Sequence, residues 1–190
     1  MLVAKDDPSV GPTFTLQNRV MRQVWNWTWL LLFRPSPRPL HAWRSFLLRA
    51  FGARIGAHVH VYPAVKVWAP WQLSIDDYAG VADGVTLYNM AHIHLGARCV
   101  VSQGSHLCAG SHDYNSSNFQ LIAAPITVGA YAWVCAEAFI SPGVALPEGV
   151  VIAPRAVVTK SLPTSWTVYG GMPARAIGKR ARNIQQGRDD

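Results

Sequence analysis

The sequence predicts a mainly β fold, a solenoid of short parallel strands preceded by helices, and three observations carry that prediction. Aliphatic residues recur every six positions, at Ile55, Val61 and Val67, then at Ile75, Val81, Leu87 and Ile93. The beat resumes at Leu95, Val101 and Leu107, and later at Val128, Val134, Ile140, Leu146, Ile152 and Val158. Such a period matches neither the turn of an α-helix nor the alternation of an ordinary strand, and suits tight coils that each turn an aliphatic residue inward. The second observation is a helical pattern ahead of Ile55. The third is one long break in the beat, immediately after His112.

Taken in order, residues 1–13 read as a lead-in and Thr15–Phe33 as a helix, with Leu16, Val20, Val24, Trp27 and Leu31 at helical spacing. The run Arg34-Pro35-Ser36-Pro37-Arg38-Pro39 cannot continue it, because proline lacks the amide donor and restricts its predecessor. A second helix is expected over His41–Phe51, with Gly52 placed to stop it. Residues 1–53 therefore form a lead-in and helical cap over the open end of the solenoid. Trp25, Trp27, Trp29 and Trp43, among many arginines, also fit a peripheral contact with a membrane surface. The apolar run Val24–Phe33 is about half the length that a bilayer span requires.

The solenoid is expected over residues 54–160, with three six-residue units per coil, so that residues 18 apart stack. The two-residue slips Leu73 to Ile75 and Ile93 to Leu95 read as corner bulges. A loop excursion is expected over 113–127, because the interval from position 113 to Val128 is not a multiple of six. With a continuous register, His94 would lie one coil below His112. Residues 161–190 form a basic tail, turned at Gly170-Gly171 and Pro173, with a short helix beyond.

The formal charge of +7 is spread over the N-terminal segment and the tail, without the interleaved aromatic stripe of a nucleic-acid surface, so no nucleic-acid partner is expected. An anionic small molecule accounts for the excess equally well. Cys99, Cys108 and Cys135, an odd set with no Cys-x-x-Cys pair, read as buried thiols in a reducing compartment. The polar start MLVAKDDPSVGPT lacks the pattern of a cleavable signal, so a cytoplasmic location is expected, extending to the inner face of the membrane if the helices touch lipid.

Three segments, Gly110-Ser111-His112-Asp113-Tyr114, the run Val128–Lys160 and Tyr169-Gly170-Gly171-Met172-Pro173-Ala174-Arg175, together with the repeats, resemble the hexapeptide-repeat O-acetyltransferases. The block PSPRPLHAWRSFLLRAFGARIG and the motif GSHDYN are most similar to the colanic-acid-biosynthesis branch of that family. The resemblance implies a left-handed parallel β-helix and a homotrimer with clefts between coils. It also implies acetyl-CoA as co-substrate and a saccharide acceptor, nucleotide- or lipid-linked, in exopolysaccharide or capsule assembly. His112 matches the family's catalytic base, a role suited to a side chain whose ordinary pKa leaves it mostly neutral.

By the same resemblance Asn89, Asp113 and Tyr114 are expected to bind the acceptor. CoA is expected along Trp133, Ala136, Thr159, Lys160 and Arg175, with Pro154 standing where relatives carry a small residue and Cys135 where they carry glycine. Asp113 and Tyr114 are equally suited to a simple turn. Two other readings compete. A γ-type zinc carbonic anhydrase would use some of the seven histidines, but His106 and His112 lack that family's spacing and no metal is expected. A catalytically silent β-helix scaffold would bind no CoA.

Overall fold

The computed structural model describes residues 2–3 and 14–182. Helix α1 spans Leu16–Thr28, and Thr15 caps it by accepting a hydrogen bond from the Asn18 amide through its side chain. The helix runs on through a π-helical turn, Trp29–Phe33, before the proline-rich break. Helix α2 spans His41–Ala50, and Gly52 leaves it with φ +89°.

The solenoid is a three-sided prism. Its first face stacks Arg54–Ile55, Leu73–Ile75, Ile93–Leu95, Ile126–Val128 and Ala145–Leu146. The second stacks His60–Val61, Gly80–Val81, Val100–Val101, Trp133–Val134 and Val151–Ile152, and the third Lys66–Val67, Thr86–Tyr88, His106–Cys108, Phe139–Ile140 and Val157–Val158. All these neighbours pair in parallel. The six-residue aliphatics point inward and are buried along the whole axis, from Val61 to Val158. Each fully buried side chain of this kind contributes about 1.5–3 kcal/mol relative to exposure.

The stacking interval differs from the expected 18. Ile55 lies under Ile75 and Ile75 under Leu95, an interval of 20. Only after the interruption does it shorten to 18, as in Val128 under Leu146 and Val134 under Ile152. The reason lies on the first face, where Leu73–Ile75 and Ile93–Leu95 are regular three-residue strands with both ends turned inward rather than corner bulges. His94 consequently stacks between Ser74 and Thr127 and not beneath His112.

The interruption is a β-hairpin, Gly110–His112 against Leu121–Ala123, that leaves the corner between the third and first faces. It begins before residue 113, and the coil resumes at Ile126 on Ile93. Leu2–Val3 add an antiparallel strand to its outer side, and the rest of the lead-in lies outside the described residues. At the far end Thr167–Gly171 joins the second face, and Ala174–Lys179 folds back antiparallel to it. The start of the tail is thus a strand where a helix was expected, because pairing with Thr167–Gly171 supplies its backbone partners. Residues 183–190 lie outside the described residues.

The helices meet the first coil through donors. Within the solenoid the amides of Gly56, Tyr62, Lys66 and Trp68 donate upward to the carbonyls of Ile75, Val81, Val85 and Leu87. The equivalent carbonyls of the first coil, Ile55, Val61, Val65 and Val67, have no coil beneath them. The Trp25 indole N–H donates to the Val67 carbonyl (2.7 Å) and that of Trp29 to Val65 (2.8 Å). Fully buried Arg44 donates to Val61 (2.6 Å), and Arg49 donates to Ile55. Trp25 also packs edge-on against Phe33 and Phe51.

This division makes a stability prediction. Trp25→Ala is expected to lower unfolding free energy by about 3–5 kcal/mol. Trp25→Phe, which keeps a ring but orphans the Val67 carbonyl, should cost about 1–3 kcal/mol. Trp27→Ala, on the exposed side of α1, should stay within about 0.5 kcal/mol. Denaturant titration of the three variants measures the series.

Candidate active site

His112 is the last residue of the first hairpin strand and is exposed. Gly110, at the hairpin's root, is required by packing, since a Cβ there would run into the Met90 side chain. At the tip Phe119 adopts a left-handed φ of +47°, and the His112 Nδ1 lies 2.5 Å from the Phe119 carbonyl. A carbonyl only accepts, so this contact places the ring proton on Nδ1. In the neutral tautomer this selects, Nε2 carries the lone pair that a general base requires.

The sequence-derived acceptor residues do not converge on that nitrogen. The Asp113 carboxylate accepts from the Asn115 amide (3.0 Å), and Asp113's own amide donates to the Gln120 carbonyl, so the residue builds the turn. Tyr114 is 80% exposed at the tip of the loop. Asn89 is engaged by the backbone. It is fully buried, its Oδ1 accepts from the amides of Trp68 and Ala69, and its Nδ2 donates to the Ala69 carbonyl. That amide clamps the corner of the coil below the hairpin.

The expected CoA residues divide into two groups. Thr159, Lys160 and Arg175 line one cleft of about 410 Å³ between the last coil and the terminal hairpin, together with Tyr169 and Pro173. Ala136 and Pro154 stand at the corner between the second and third faces, on the turns that follow Val134 and Ile152. Pro154 is exposed there and Ala136 half-buried. Trp133, half exposed on the second face, donates its indole N–H to the Ser102 hydroxyl (2.9 Å). Cys135 is buried, and burial pushes its thiol up, as it does for Cys108; Cys99 is pushed up to about 12. None is poised as a nucleophile.

His112 and the Thr159–Arg175 cleft share one edge of the prism. The hairpin leaves just after His106–Cys108, and Thr159 follows Val157–Val158, two strands higher in the same face. At the inter-strand spacing the rise between these levels is about 10 Å. Thr159, Lys160 and Arg175 present a hydroxyl and two cations, a donor set that fits phosphate groups.

A feature not anticipated from the sequence runs up the third face. Trp68, Tyr88, His106 and Phe139 form a column with ring centroids 5.9, 6.4 and 5.3 Å apart. Burial lowers the pKa of His106, and its Nε2 has no hydrogen-bond partner among the described residues. Beneath α1 the column opens into a pocket of about 280 Å³ lined by Trp29, Lys66, Thr86 and Tyr88. The signal was present as Lys66, Thr86 and His106 at intervals of 20, which becomes visible only once the true coil length is known. A larger concavity, about 810 Å³, lies elsewhere, beside Arg54, Asp76 and His94, where Asp76 pairs with His94 at 3.2 Å. Among the described residues no three His, Cys, Asp or Glu side chains converge as a metal site.

Comparison with known proteins gives these features a family. The colanic acid biosynthesis acetyltransferase WcaF of Escherichia coli K12 is 43% identical over 172 residues, covering 90% of this chain and 94% of that protein. This chain belongs to the hexapeptide-repeat acetyltransferase family. It is an acyltransferase by that membership. No protein-family model matches it. The galactoside O-acetyltransferase of Escherichia coli K12 is 24% identical, over 70% of this chain and 67% of its own.

Solved structures share the fold. A maltose O-acetyltransferase from Clostridium difficile superposes with a TM-score of 0.80 at 19% identity, covering 88% of this chain and 90% of its own. A hexapeptide-repeat acetyltransferase from Vibrio cholerae, solved with acetyl coenzyme A, gives 0.77 at 21% identity, covering 88% and 91%.

Asn89→Ala removes one acceptor and one donor from three hydrogen bonds, two of them fully buried. It should lower stability by about 2–3 kcal/mol, read by denaturant unfolding, with the activity of the folded fraction retained.

Proposed function

We propose that this acyltransferase moves an acetyl group from acetyl-CoA to a hydroxyl of a saccharide in exopolysaccharide or capsule assembly, with His112 as general base. The observation that carries this reading is the hydrogen bond from His112 Nδ1 to the Phe119 carbonyl, which frees Nε2 on the same prism edge as the Thr159–Arg175 cleft. WcaF is named for colanic acid biosynthesis, and an N-acyltransferase from Bacillus cereus of similar fold (TM-score 0.60) was solved with dTDP and coenzyme A. The first supports a saccharide acceptor and the second a nucleotide-linked one; a lipid-linked acceptor is part of the same proposal.

In this reading Lys160 and Arg175 hold the phosphates of the co-substrate, while its thioester arm lies along the edge toward His112. The acceptor saccharide occupies the third-face groove, where aromatic walls and the Lys66 and Thr86 side chains offer the mixture of apolar and polar contacts typical of small-molecule sites. His112 Nε2 removes the proton from the acceptor hydroxyl as its oxygen attacks the thioester carbonyl. The carbon–sulfur bond then breaks, and the imidazolium returns the proton to the departing thiolate, leaving an acetyl ester and a free thiol. We further propose a homotrimer, in which neighbouring chains wall the clefts, and a cytoplasmic location, where acetyl-CoA is available.

His112→Ala should lower turnover by about 10²–10⁴-fold while CoA affinity stays near normal. Unchanged turnover in a saccharide acetylation assay would remove His112 from the chemistry. A Lys160→Ala/Arg175→Ala variant should show the opposite pattern. Its KM for acetyl-CoA should rise by about tenfold or more, the weight of charge-assisted contacts, with kcat close to wild type.

A further inference from the structure

We propose that the outward face of α1, continued across α2, is a docking surface for an anionic lipid bilayer. The apolar residues at helical spacing in α1 and its extension do not face the solenoid. Leu16, Val20, Val24, Trp27 and Leu31 are 72, 52, 50, 56 and 61% exposed, while Trp25, on the opposite side, is buried. The helix is held down by the indoles of Trp25 and Trp29, and its apolar stripe is left open.

The patch does not stop at α1. The Trp43 indole N–H donates to the Leu32 carbonyl (3.0 Å), which ties the two helical segments together. The Trp43 ring stacks on Phe46 at 5.7 Å, and Phe46 is 56% exposed. A continuous apolar surface of this kind is unfavourable in water and marks an interaction site.

Charge selects the occupant. Residues 14–53 contain six arginines and no acidic residue. Arg19 and Arg34 are exposed beside the stripe, and neither forms an ion pair among the described residues. A second copy laid face to face on this surface would bring arginines against arginines. An anionic bilayer offers phosphates to the basic margin and acyl chains to the stripe, and tryptophans favour the level between them. No described helix is long and apolar enough to cross a membrane, so α1 would lie in the interfacial plane. The inference is independent of which acceptor the enzyme uses.

Co-sedimentation of the full chain with phosphatidylcholine vesicles, and with vesicles of equal parts phosphatidylcholine and phosphatidylglycerol, tests it. Binding should be at least about tenfold tighter to the anionic vesicles. A Leu16→Gln/Val24→Gln/Leu31→Gln variant should lose about tenfold or more of that binding, with its oligomeric state by light scattering unchanged. Arg19→Gln/Arg34→Gln should erase the preference for anionic lipid. The proposal is overturned if the wild-type chain binds neither vesicle, or if the triple variant binds as well as wild type. A triple variant that changes oligomeric state, from a wild-type chain that does not bind vesicles, would assign the face to a second copy instead.

Discussion

A stack of parallel coils cannot begin on its own, and the rest of this molecule depends on how its first coil is closed. Every interior coil has its carbonyls met by amides from the coil below. The first has Ile55, Val61, Val65 and Val67 facing outward at the end of the prism, and an orphaned buried carbonyl costs about 1–3 kcal/mol. Only donors can close that end. The sequence ahead of the solenoid is accordingly rich in side chains that donate, and Trp25, Trp29, Arg44 and Arg49 each take one of those carbonyls. Arg44 is the extreme case: a fully buried cation whose guanidinium is also satisfied by the Ser36 hydroxyl and the Pro37 carbonyl. The proline-rich break between the helices thereby becomes part of the cap.

With the end closed, the coils act as a rigid ruler, and the candidate active edge follows from it. The hairpin leaves the corner after His106–Cys108 at a point set by Gly110 against Met90. It holds His112 by a backbone carbonyl, which leaves no carboxylate needed to orient the ring. The cationic cleft two coils higher is placed by the same stacking and is completed by the strand Ala174–Lys179. His112 and the cleft are therefore spaced by backbone geometry.

Much of the fold was legible because the solenoid repeats one simple requirement, an inward aliphatic residue on each short strand. The coil length was not. Leu73–Ile75 and Ile93–Leu95 carry two inward residues each, and in a one-dimensional pattern that looks like a slip. The error propagated to His94, placed under His112 when it stacks on Ser74. The apolar spacing of α1 was read correctly as helical, yet its direction could not be, since Trp25 and Trp29 anchor the helix by hydrogen bonds that no periodicity reveals. At the candidate site His112 stands out through motif resemblance alone. Asn89 clamps a backbone corner, a role the sequence alone does not separate from meeting a sugar, because both are the same letter.

The central claim is that His112 and the Thr159–Arg175 cleft form one working edge. Amide hydrogen exchange with and without CoA tests it most directly. Slowed exchange is expected in the hairpin at residues 110–123 and in residues 158–176. Protection confined to the larger concavity around Arg54, Asp76 and His94, with the hairpin and the cleft unchanged, would contradict it.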